Sequence, residues 1–305
     1  MPSTRDIKRR IKSIGNTRKI TKAMEMVAAA KMRRAIEAVL KTRAYANLSW
    51  QTVLNLSKTG SAELHPLLVK REEVKKIGVI LITSNRGLCG GFNSAVIRKA
   101  QELVREKIGG GSPAKADFIL LGKKGAAVYR YSGYNIAADF PKSDLIKEIS
   151  EVVPVVRMVI NDYLKSKYDK IFVAYTDFVS AVKQVPRIKQ LLPFDIKAQE
   201  EFLGTVSAEN SDQKFEGAAE EYLFEPSPRE ILNEMLPRLI EVQLFQALLE
   251  SNAAEHSARM AAMHQATEAA GDLVDDLTLF YNKARQAGIT REIAEISAGA
   301  NALKN

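Results

Sequence analysis

No proline falls between Pro2 and Pro66, and Gly15 is the only glycine before Gly60. Proline and glycine are the residues that most readily interrupt a helix, so residues 3 to about 57 are predicted as one continuous helix. Ser3, with Asp6 three residues later, resembles a capping box with Asp in place of Glu or Gln. Ile7, Ile11 and Ile14 follow a four-three spacing; Ile20, Met24 and Val27 repeat it, and Val39, Ala46, Trp50 and Val53 extend it. At about 1.5 Å per residue the helix is roughly 80 Å long. A globular core cannot bury that length, so the helix must pack along another one.

The second helix lies at the opposite end. Ser227, Pro228 and Glu230 form a strong helix start: serine as cap, proline at the first helical position, glutamate at the third. The helical pattern runs to about Ala298, with Pro237 inside it as a kink or a restart. From Ala253 to Ala270 the chain is rich in alanine, which lets two helix axes approach closely, and Val274, Leu277 and Tyr281 resume an apolar stripe. The two terminal helices are expected to pair antiparallel, the C-terminal one overshooting by about 15 residues, or about four helical turns.

Between them the period changes. Lys76 to Thr83 reads as a strand buried on both faces, followed by strands at Phe118 to Leu121, Asn135 to Ala138, Lys170 to Tyr175 and Ala181 to Leu192. Pro186 places the last at a sheet edge or bulge. Helices are predicted at Ser94 to Lys107, Gly125 to Tyr131 and Asp144 to Lys167. This alternation implies an α/β domain with a doubly wound, mainly parallel, Rossmann-like sheet, inserted between the two helices of a long antiparallel coiled coil. The expected divisions are 1–60 (first helix), 75–195 (α/β domain), 196–226 (an irregular, acidic and polar connection) and 227–305 (second helix).

Residues 1–43 carry thirteen Lys and Arg against Asp6, Glu25 and Glu37, a surplus of ten in a chain whose net charge is +9. The basic character therefore belongs to the N-terminal segment. It is either a surface for an acidic partner (protein, nucleic acid or lipid headgroups) or a solvated helix face. No apolar run approaches the roughly 18 residues that cross a bilayer. The basic, polar start predicts no secretory signal, and Cys89, the single cysteine, excludes an internal disulfide.

Gly87 to Asn93 follows a strand and precedes a helix, where phosphate loops sit, but it lacks the Gly-Lys-Ser/Thr of a P-loop and the G-x-G-x-x-G spacing. A tight structural turn is the expectation, and Gly122 to Gly125 is read the same way. His256 and His264 are eight residues apart rather than the four that a helical metal site needs, so helix packing is expected of both. Neither they nor His65 suggest a catalytic arrangement.

Several stretches resemble the gamma-subunit family of F-type ATP synthases: IKRRIKSIGNTRKITKAM from Ile7 to Met24, MVAAAKM from Met26 to Met32, and YNKARQAGITREIAEI from Tyr281 to Ile296. TSNRGLCGGFN from Thr83 to Asn93 and EHSARM from Glu255 to Met260 add to them, and the resemblance covers essentially the whole chain. It implies a rotor: the paired helices form a shaft in the cavity of a hexamer of alpha and beta subunits. The α/β domain would be a foot on the ring of c subunits, beside the epsilon subunit. Shaft angle would bias nucleotide affinity in each beta subunit through differential contacts. By the same resemblance Arg9, Arg10, Met24, Arg285, Gln286 and Thr290 contact beta subunits, while Tyr222, Phe224 and Glu225 touch the c-ring. No catalytic residue, cofactor or metal is implied, and the location would be the cytoplasmic face of a bacterial membrane, held there indirectly. The cysteine pair of the redox-regulated chloroplast forms is missing, so the resemblance implies no such switch.

Two other readings stay open on residues alone. One is a nucleotide-dependent enzyme with a coiled-coil arm, against which the missing phosphate-loop chemistry counts. The other is a nucleic-acid-binding arm at 1–43, which lacks the interleaved aromatics that stack on single strands.

Overall fold

The computed structural model describes residues 3–58, 65–69, 71, 73–108, 116–130, 133–146, 148–194 and 227–302, with side chains omitted at 43–58, 228–229 and 300–302. The chain divides into two compact units. One joins residues 1–27 to 260–305; the other is residues 28–259.

The first helix, α1, spans Thr4–Lys58 without interruption. Its cap forms as the sequence predicts: the Asp6 backbone N–H donates to Ser3 Oγ at 3.2 Å, and the Ser3 hydroxyl donates to the Asp6 carboxylate at 2.8 Å. The last helix, α5, spans Pro228–Ala302, capped by a 3.3 Å bond from the Glu230 N–H to Ser227 Oγ. Pro237 lies inside it without ending it, and Gly299 does not end it either.

In the larger unit, five strands form one sheet: β1 (Ile77–Ile82), β2 (Ala116–Leu121), β3 (Asn135–Phe140), β4 (Lys170–Phe178) and β5 (Gln184–Leu192). Their order is β3-β2-β1-β4-β5. The first four are mutually parallel and β5 is antiparallel to β4. Pro186 sits on β5, at the sheet edge, where a missing N–H disturbs no central ladder.

Every residue of β1 and β2 is buried, because helices cover both faces. Helices α2 (Phe92–Ile108) and α3 (Lys123–Tyr129) pack on one face, with Val96, Ala100, Val104 and Tyr129 against Val79, Leu81 and Phe118. The other face meets α4 (Val153–Leu164) and the stretch of α5 from Leu232 to Leu249, through Ile80, Ile119 and Val173.

Two expectations need correction. The helix expected at Asp144 to Lys167 is a short 3-10 turn, Ile149–Glu151, followed by α4 from Val153. Pro154 fits the first turn of α4, while Asp144 is engaged elsewhere, by Asn85, Lys31 and Arg86. Ile20 and Val27, expected on the inner stripe of α1, are 60% and 57% exposed, whereas Ile7 and Ala28 are buried.

Candidate functional site

In the smaller unit α1 and α5 run antiparallel in a register set by three polar meetings. Arg18 lies over Gly271, the Thr267 hydroxyl donates to Thr21 Oγ1 at 2.7 Å, and His264 Nδ1 lies 3.3 Å from Glu25. Lys22 takes the same Glu25 carboxylate at 3.0 Å. That hydrogen bond, then the nearby charges of Lys22 and His264, outweigh desolvation and hold the Glu25 carboxyl below its usual range.

Extrapolated one for one, this register brings Thr4 to roughly the level of Arg285. Beyond that level no other described residue covers α5, which is wholly exposed from Ile289 to Gly299. Arg285, Gln286 and Thr290 lie on this stretch or at its base, all exposed. The Thr290 hydroxyl is spent on the Gln286 carbonyl at 3.0 Å. Arg9 and Arg10 are exposed on α1, Arg9 in a 3.3 Å ion pair with Asp6, and Met24 is half-buried. These residues are thus distributed along the helix pair rather than gathered in a pocket. Tyr222, Phe224 and Glu225 lie outside the described residues.

The second arrangement belongs to the larger unit. In an open α/β sheet the ligand crevice lies outside the carboxyl ends of the strands where the winding reverses, here between β1 and β4. That space is filled by the chain itself. Met32, Ala35 and Ile36 of α1 and Ala253, Ala254 and Ala258 of α5 pack with Cys89, Phe92 and Phe178.

Around this plug runs a network of charge. Lys142 Nζ donates to Glu255 Oε2 at 2.6 Å and to the Thr83 carbonyl at 3.3 Å. The second Glu255 oxygen accepts from Arg259 at 2.9 Å, and Arg259 reaches on to the carbonyls of Arg86 and Gly87. Burial alone would raise the Glu255 carboxyl, but Lys142 and then Arg259 hold it below its ordinary value. His256 Nε2 lies 3.1 Å from the Asp144 carbonyl, which can only accept, so that nitrogen carries the proton. Its Nδ1 then accepts from Arg259 at 3.2 Å. Desolvation lowers the His256 pKa and favours this neutral form.

The turn that resembles a phosphate loop has its polar groups engaged internally. Asn93 accepts from the Ser84 N–H at 3.0 Å and donates to Ser84 Oγ at 2.7 Å. At the start of α3 the N–H groups of Lys124 and Gly125 go to Ser84 O and Thr83 Oγ1. A phosphate would need those donors free. Among the described residues no cluster of His, Cys, Asp and Glu is arranged to hold a metal. No described helix is long and apolar enough to cross a membrane.

A family model described as ATP synthase matches residues 3–303. An ATP synthase gamma chain from Pelotomaculum thermopropionicum is 43% identical over 304 residues, covering 100% of both chains. This chain belongs to the ATP synthase gamma chain family. A second gamma chain, from Chlorobaculum parvum, is 42% identical over 305 residues and also covers 100% of both. One from Legionella pneumophila is 39% identical over 99% of this chain and 100% of its own. The fold is that of solved central-stalk chains. A chain in a Euglena gracilis mitochondrial ATP synthase containing OSCP, F1 and c-ring superposes with a TM-score of 0.63 at 18% identity, covering 98% of this chain and 94% of that one. A chain in the Tetrahymena thermophila central stalk and c-ring gives 0.58 at 23% identity, covering 81% and 99%.

The network of Lys142, Glu255, His256 and Arg259 was not legible as a site. EHSARM marked family resemblance, but no sequence pattern ties it to Lys142, 113 positions away from Glu255.

Proposed function

We propose that this gamma-family chain is the rotor of an F-type ATP synthase and contributes no catalytic group to it. Its helix pair, 1–60 with 227–305, is the shaft inside a ring of alpha and beta subunits. Its α/β domain, 75–195, is the foot, and 196–226 supplies the c-ring contact through Tyr222, Phe224 and Glu225. The epsilon subunit sits beside the foot, and the complex is held at the cytoplasmic face of a bacterial membrane through the c-ring.

The observation that carries this reading is the single, exposed end of α5. Ile289, Ile293 and Ile296 are 49%, 59% and 71% exposed on one helix. An apolar stripe of that kind marks an interaction surface, and a surrounding sleeve of subunits would cover it. The plugged crevice supports the non-catalytic part, since the place where such a sheet takes a ligand is occupied by the chain's own helices. Arg9, Arg10 and Met24 on α1, with Arg285, Gln286 and Thr290 on α5, would then meet the beta subunits in turn as the shaft rotates.

The test is reconstitution with alpha and beta subunits, using a bead attached through Glu106→Cys on the exposed end of α2. One copy per hexamer and ATP-driven rotation of the bead are expected. A chain that ignores both subunits, or a bead that stays still while ATP is hydrolysed, would overturn the reading.

A further inference from the structure

We infer that Lys142, Glu255 and Arg259 form a torsional lock that fixes the angle of the α5 shaft helix within the α/β domain. This rests on the rotor reading above. A rotor must transmit twist without slack. Leu244, Phe245 and Leu248 seat the earlier part of α5 in the core of the domain, but where α5 enters the crevice the facing residues of the two helices, Ala35 of α1 and Ala253 and Ala254 of α5, have little to interdigitate. Small faces permit close approach, but they offer low resistance to turning a helix about its own axis. At that level directional bonds add the resistance that packing does not.

Glu255 is placed for this. Both of its oxygens are held, Oε2 by Lys142 and Oε1 by Arg259 of the same helix. Lys142 comes from the loop after β3, and its ammonium is fixed in turn by the Thr83 carbonyl at the end of β1. Arg259, one turn further along α5, bonds Glu255 and also the carbonyls of the β1–α2 turn. Asn85 holds the Lys142 carbonyl at 2.6 Å, so the loop bearing the lysine is itself anchored. The other helix is tied to the same loop by Lys31, 3.6 Å from Asp144.

A buried ion pair is a poor device for stability alone, since an apolar pair of similar volume often serves as well. Its established use is to fix register. The Lys142 and Glu255 side chains are 1% and 7% exposed, so turning α5 would strand two charges in the crevice. A gradual apolar slip thereby becomes an all-or-none step.

The test uses the assembled, nucleotide-stalled complex, with the bead on Glu106→Cys reporting the angular fluctuation of the foot. The double variant Lys142→Met with Glu255→Met removes the buried ion pair while stranding neither of its charges, and leaves only the Arg259 bonds to the Arg86 and Gly87 carbonyls. It is expected to assemble with parental stoichiometry and to give a broader angular distribution and, in the membrane-bound enzyme turning over ATP, to pump fewer ions per ATP hydrolysed. Glu255→Gln keeps an acceptor for Lys142 and should broaden the distribution less. Parental width in the double variant overturns the inference. Failure of that variant to assemble overturns it too, because the pair would then be a requirement of folding rather than of torque. A parental complex that does not rotate at all once ATP releases the stall counts against the rotor reading instead.

Discussion

The carbonyl oxygen of Thr83 occupies the place where a side chain at position 122 would begin, so only glycine fits there. A Cβ on Gly122 would collide with that backbone oxygen, and Gly122 adopts a φ of +103°, outside the range of ordinary L-residues. The close approach joins the end of β1 to the start of α3. Thr83 is also where Lys142 is anchored. Gly122→Ala is therefore expected to cost roughly 2–4 kcal/mol, from strain and forced displacement. The urea midpoint of the full chain measures it. A loss below about 0.5 kcal/mol, the size of a neutral surface change, would contradict this account.

Arg71 makes a comparable tie at the opposite end of the strands. Its guanidinium donates to the carbonyls of Tyr168 and Tyr163, to Asp169 and to Ser166, at 2.8–3.2 Å. It also lies 4.8 Å from the centre of the Tyr163 ring. Only a planar fork reaches four acceptors at once, so Arg71→Lys should lose most of what Arg71→Met loses, about 2 kcal/mol. Faster hydrogen exchange at Lys165 and Ser166, which close the C-terminus of α4, is the readout. A lysine variant protected like the parent would show that charge alone suffices.

Acid should loosen the plugged crevice in two stages. The folded pKa of His256 lies below its ordinary 6.5, so the unfolded chain takes up that proton first. The neutral ring's contribution to stability is complete above 6.5 and is lost as pH falls toward the folded value. Protonation puts a hydrogen on Nδ1, facing the Arg259 guanidinium with Lys31 also nearby, and the bond to the Asp144 carbonyl and the Glu255 charge offset this only in part. The Glu255 carboxyl, below its ordinary 4.5, contributes above that pH and loses its contribution at lower pH still. His256→Gln should remove the first stage and leave the second. If stability of the variant still falls from pH 6.5 downward as in the parent, the assignment to His256 is wrong.

Much of the fold was legible because its signals are local. Periodicity and the absence of breakers marked α1, a capped start marked α5, and Pro186 marked β5 as an edge. His256 was read as a helix-packing residue, and it is buried. Where the expectations missed, the deciding partner was distant in sequence. The Asp144 region was expected to be helical, but its carboxylate is taken by Lys31 and Arg86. Ile20 and Val27 fit an inner stripe by spacing, yet Arg18, Thr21 and Glu25 set the register with α5 and leave both outside. Charged residues such as Glu255 look like solvated helix surface until the opposing loop is in place.

The exposed end of α5 carries the most direct test of mechanism. Arg285 and Gln286 are adjacent, and Thr290 follows Arg285 by five positions, about 140° around the helix. With the Thr290 hydroxyl donating to its own helix, Arg285 and Gln286 are the two of these three residues whose side-chain donors face solvent. Ile289, Ile293 and Ile296 lie beside them as an exposed apolar stripe. In a rotating shaft the stripe can slide along a sleeve, while polar contacts form and break at each step. Losing such contacts should slow turnover rather than prevent assembly. Arg285→Ala with Gln286→Ala is expected to lower ATPase turnover by roughly tenfold, the equivalent of one charge-assisted hydrogen bond, while the complex purifies with parental stoichiometry. Deleting 301–305 removes only the extreme end and should have much less effect. Both constructions are compared for ATPase rate and subunit ratio in the same preparation. Parental turnover in the double alanine variant, or a truncation that proves the more damaging change, would place the working contacts elsewhere on the shaft.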